Sequence, residues 1–102
     1  MNSQLVLQWC EPNLPDFDQL IGIEDSLVAV IGHYGEVDGH DVGAAECNIF
    51  IETHEPTNCF DVLRSACGSE PWFATLRAGY RRLDEQAYNP FWPTGMVSFA
   101  VA

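Results

Sequence analysis

Apolar and polar positions recur along this chain in two different periods, and each change of period marks the end of an element. Residues 4–9, Gln-Leu-Val-Leu-Gln-Trp, are short and β-prone, and Cys10-Glu11-Pro12-Asn13 closes them, which predicts a strand and a turn. From Pro15 or Asp16 to Ile31 the period lengthens: Phe17, Leu20, Ile21, Leu27, Val28 and Ile31 fall at helical spacing before Gly32. Residues 35–43 are polar and Gly-rich, and residues 46–53 alternate as a half-buried strand does, so a hairpin turning at residues 42–45 is expected.

Pro56 suits a first helical position, and Cys59, Phe60, Leu63, Ala66 and Cys67 form a stripe ahead of Gly68, which predicts a second helix. Residues 73–83 alternate again, with Ala74, Leu76, Ala78 and Tyr80 on one side and Thr75, Arg77, Gly79 and Arg81 on the other. They read as a fourth strand. The tail is aromatic and broken by Pro90 and Pro93, so it reads as a short extra strand beside the fourth, followed by a segment that covers a core edge.

The order β-α-β-β-α-β predicts an α+β fold of the ferredoxin-like (split βαβ) kind, an antiparallel sheet with two helices on one face and an extra C-terminal strand. The usual sheet order, 4-1-3-2, would set the fourth and second strands at opposite edges. A chain of 102 residues with 47% apolar composition and twelve aromatic side chains buries enough surface to form one core, so one domain spanning residues 1–102 is expected. Such a superfold by itself implies no activity.

Charge changes the picture more than composition does. The formal net charge is −11, there is no Lys, and residues 1–63 hold twelve acids without a single Arg. Arg64, Arg77, Arg81 and Arg82 all lie in the remainder, against Glu70, Asp84 and Glu85. Nucleic-acid affinity rests on cationic side chains that displace counterions, so no nucleic acid is expected as a partner. No apolar run is long enough to span a bilayer, and no basic N-terminal leader precedes one, so neither membrane nor secretion is expected and a cytoplasmic location is.

The spacings of Cys10, Cys47, Cys59 and Cys67 match neither a zinc knuckle nor a redox pair, and reduced thiols are expected. Cys10, beside Trp9, is the one expected to be exposed. No phosphate loop or dinucleotide fingerprint occurs, no cofactor is implied, and an enzyme is the less favoured reading. Arg77 and Arg81 share a predicted strand face, with internal salt bridges the favoured use and stacking on Trp92 or Tyr88 the other.

The densest polar cluster is Asp38-Gly39-His40-Asp41, with Glu46 and Asn48 across the turn. A regular strand would put Asp38 and His40 on one face and Asp41 on the other. With Glu46 nearby, Asp38, His40 and Asp41 would offer a divalent metal two carboxylates and an imidazole. The favoured alternative is structural: Asp and Gly set a bulge or turn, and His40 anchors it by hydrogen bonds.

In size, acidity, lack of a leader and compact α+β build, the chain resembles the immunity proteins of bacterial toxin–immunity pairs. The resemblance implies a protein that binds and neutralises a cognate toxin or effector, often a basic nuclease. On that reading the partner-binding residues are Asp16, Asp18, Glu24, Asp25, Glu36, Asp38, His40, Asp41 and Glu46. Two other classes stand beside it: a small enzyme or metal-binding protein centred on Asp38, His40, Asp41 and Glu46, and a homodimeric ligand-sensing domain.

Overall fold

The computed structural model describes residues 2–102, in the element order β1 (Ser3–Cys10), α1 (Phe17–Ile31), β2 (Glu36–Val42), β3 (Glu46–Thr53), α2 (Pro56–Cys67), β4 (Arg77–Arg82) and β5 (Asn89–Trp92). Helix α1 begins where a capping box fixes it. The Asp16 carboxylate accepts the Gln19 backbone N–H at 2.8 Å, and the Gln19 side-chain oxygen accepts the Asp16 N–H at 2.9 Å. Two orphan donors of the first turn are satisfied in this way. The helix stops at Gly32, whose φ of 54° is open to a residue without a Cβ.

The architecture is α+β, with one five-stranded antiparallel sheet in the order β2-β3-β1-β4-β5. The fourth strand is therefore not an edge: β5 pairs outside it and takes that place. The predicted fourth strand also begins too early. Residues 71–75 form a 3₁₀ turn, because Pro71 at its first position presets the tight backbone, and pairing starts only at Arg77.

Leu5, Leu7 and Trp9 of β1, with Cys47, Ile49 and Ile51 of β3, face the helices and meet Leu20, Leu27 and Ile31 of α1 and Phe60 and Leu63 of α2. The aromatics of the tail extend this core: Phe91 and Trp92 lie 5.2 and 5.5 Å from the Phe60 ring. Arg64 stacks over the outer side of Trp92 at 4.6 Å.

The second face of the sheet is covered as well, by residues 96–102, which cross it without regular structure. Phe99 is buried directly over Gly79, where an added Cβ would lie 2.4 Å from its ring. Alongside it, Gln8 donates to the Ala100 carbonyl at 2.9 Å, and the Ala102 N–H donates to Glu46 at 3.0 Å. Strand β1 is thus buried on both sides, and Gln8 and Asn48 are only 1% and 0% exposed. Their amides are satisfied by each other and by Glu46, so this polar layer carries no orphan group.

Candidate functional site

A bulge decides what the acidic segment of β2 can do. Val37 pairs with Ile51 and Gly39 with Phe50, so Asp38 is an extra residue with no partner on β3. Gly39 supports the distortion with a φ of 127°, a backbone region that side chains bearing a Cβ rarely adopt. The extra residue takes Asp38 out of the expected alternation, whereas His40 and Asp41 fall on opposite faces as a regular strand would place them. His40 lies opposite Ile49 on the helix side, while Asp41 lies opposite Asn48 on the second face.

His40 consequently meets α1. Its Nδ1–H donates to the Glu24 carboxylate at 2.9 Å, and its ring stands edge-on to Phe17, with centroids 6.2 Å apart. Glu46 lies elsewhere. It is tucked under the tail on the second face, where hydrogen bonds from the Asn48 amide, and then from the Ala102 N–H and Gln8, hold its carboxyl below the ordinary value against the opposing pull of partial burial. Among the described residues no three His, Cys, Asp or Glu side chains come together as metal ligands. Asp38, His40, Asp41 and Glu46 are divided between a bulge and two sheet faces, so the geometry supposed for a metal is not formed.

The other candidate residues stay on one flank of the molecule. Asp16 caps α1, Asp18 is in its first turn, Glu24 and Asp25 follow along it, and Glu36, Asp38 and Asp41 lie on the edge strand β2 beside it. Among the described residues one Arg–carboxylate ion pair forms, Asp84 with Arg82, and Glu24 is hydrogen-bonded to His40. No acid of the first 63 residues pairs with an Arg, although Arg77 acts on Glu46 from a distance. Glu36 even stands directly opposite Glu52 in the ladder, an arrangement of like charges that weakens a hairpin.

Sequence reasoning missed the apolar part of this flank. Phe17 and Val28 are 65% and 63% exposed. With Ile21 and Glu24 they fall at i, i+4, i+7 and i+11, which is one face of α1, turned toward β2. Val42, on the same side of β2 as His40, is also exposed. The sequence pattern grouped Phe17 and Val28 with Leu20 and Leu27 at helical spacing, without separating the exposed edge of the stripe from the buried one. Only the position of β2 shows that the stripe overhangs the sheet.

Arg77 and Arg81 do not form the internal salt bridges expected of them. Arg77 donates to the Ser98 carbonyl and lies 5.7 Å from the Phe99 ring centre. Arg81 donates to Gln4 and the Glu85 carbonyl and stacks 5.6 Å from Tyr88. Both fasten the tail and the segment after β4, which is backbone and aromatic work. The buried thiols are no more reactive: burial raises Cys59 to about 11 and pushes Cys47 and Cys67 upward as well. Cys10 is half-buried, 3.7 Å from an Arg77 nitrogen. No family model, no curated protein and no solved structure matches the chain.

Proposed function

We propose that the chain is a protein-binding module that meets a basic partner with the α1–β2 flank, and that it acts as an immunity protein neutralising a cationic toxin or effector. The observation that carries this reading is the exposed stripe of Phe17 and Val28 beside an edge strand whose carboxylates are almost all unpaired. Interfaces draw most of their affinity from a few aromatic and apolar anchors, while a surrounding charge field speeds encounter and selects the partner. Phe17, steadied by His40, is such an anchor, and Asp16, Asp18, Glu24, Asp25, Glu36, Asp38 and Asp41 supply the field. Glu46, under the tail, holds the fold and is no longer among the contact residues.

The succession of the first four strands and two helices supports reading the fold as ferredoxin-like, with β5 as an addition. Four free cysteines fit a reducing, cytoplasmic setting. No helix among the described residues is long and apolar enough to cross a membrane.

The test is calorimetric titration against the purified basic product of the neighbouring gene. Saturable binding is expected, and Phe17→Ala should weaken it by about 2 kcal/mol, the size of an interface hot spot. Absence of binding, or full affinity in the Phe17→Ala protein, would refute the assignment. Sedimentation of the free protein distinguishes self-association through the same flank.

A further inference from the structure

The opposite flank of α1 borders a cleft with a different chemistry. It encloses about 530 Å³, a volume inside the roughly 300–1,000 Å³ of small-molecule sites. Gly22 and Ser26 form one wall, Pro71 and Trp72 of the 3₁₀ turn form the other, and Trp9 lies at the base. An added Cβ on Gly22 would meet nothing within 4 Å, so this wall is low, and the facing Trp72 indole is half-buried.

The Trp9 indole is held in place, and with it the backbone of the 3₁₀ turn. The Trp9 Nε1–H donates to the Trp72 carbonyl at 2.8 Å, and the two rings meet edge to face with centroids 6.2 Å apart. A wall fixed before a ligand arrives loses little freedom on binding. No side chain lining the cleft is charged, in a chain of which 19% is charged. Its polar groups are neutral ones, the amides of Asn13 and Gln19 and the hydroxyls of Ser26 and Thr75.

We propose that this cleft is a binding site for a small, neutral, flat apolar molecule, whose ring slots between α1 and Trp72. An anion would find no cationic group here and would enter against a net charge of −11. A cation would find no carboxylate in the lining to replace its lost water. An apolar ring gains contact with the partly exposed Trp72 indole, backed by the buried Trp9, and leaves no charge unpaired. The site lies away from the Phe17 stripe and stands whether or not a protein partner binds there.

The neutral fluorophore N-phenyl-1-naphthylamine is the probe, titrated into the full chain while its emission and the tryptophan emission are followed. Saturable one-to-one binding with quenching of tryptophan is expected. Gly22→Leu, whose side chain grows into open space, should weaken binding by about tenfold or more, a difference of about 1.4 kcal/mol or more, without lowering the thermal midpoint. Ser26→Leu, on the same wall, is the second blocking variant should the first fail to fold. The anionic analogue 8-anilinonaphthalene-1-sulfonate should bind far more weakly. Unsaturable binding, unchanged affinity in a folded blocking variant, or equally tight binding of the sulfonate would overturn the proposal.

Discussion

Two residues of the second sheet face do work that their types do not announce. Gly79 is extended backbone, and what demands glycine there is the Phe99 ring that occupies the space of a Cβ. Gly79→Ala should therefore lift the tail and destabilise the protein by about 1–3 kcal/mol, as overpacking does. Urea denaturation measures it, and a Phe99→Ala change made in the same chain should remove most of the penalty, since the two substitutions compete for one volume. Glu46 gives a pH signature. Its carboxyl is held below 4.5 by the Asn48 amide first, so the folded state favours the charged form. A depressed value means that the stabilisation is full above pH 4.5 and fades as pH falls through the folded value. Glu46→Gln should accordingly be less stable than the parent at neutral pH, and the gap between the two denaturation midpoints should close on acidification. A gap that stayed constant would show that the carboxylate contributes nothing as a charge.

At the scale of elements, the helices were legible because their signals are local. A capping Asp16, a 3.6-residue period and a closing Gly32 leave α1 little choice of ends, and Pro56 with Gly68 does the same for α2. The strands were legible where apolar and polar residues alternate, as in β3, although the tail covers its second face too. Strand β4 was misjudged at its start because Ala74 and Leu76 continue the alternation of Ala78 and Tyr80, whereas Ala74 is exposed and the buried pair is Phe73 and Leu76, three apart as a 3₁₀ turn places them. The site suffered from a single unpaired residue. Asp38 bulges out of the ladder and is parted from His40, which lies opposite Ile49 and finds Glu24, while Glu46 sits on the other face, an outcome no spacing rule contains. Gly39 holds that bulge, so Gly39→Ala should cost about 1–3 kcal/mol through its strained backbone. The same change should part the imidazole from Glu24 and from the Phe17 ring, which NMR would register as loss of the nuclear Overhauser contacts between the His40 and Phe17 rings. Unaltered contacts would mean that the bulge survives without glycine.

At the scale of the molecule, the uneven charge along the chain becomes an uneven charge in space. The acids of α1 and β2 lie along one edge, with Asp41 turned to the second face, and Arg77 and Arg81 of β4 turn toward the tail and that face, where they bind carbonyls and aromatic rings and form no ion pair with those acids. Repulsion of this kind weakens the folded state and is relieved by salt, over a screening length of about 8 Å at physiological ionic strength. Glu36 is where the two consequences separate. It faces Glu52 across the ladder, so Glu36→Lys turns a like-charge pair into an attractive one and should stabilise the hairpin by about 0.2–1 kcal/mol. If the flank steers a basic partner, the same substitution should slow association and flatten its salt dependence. Greater stability with slower binding is the expected pair of results, from denaturation and stopped-flow mixing respectively. Greater stability with an unchanged association rate would assign the acidity to solubility and leave the Phe17 stripe without its field.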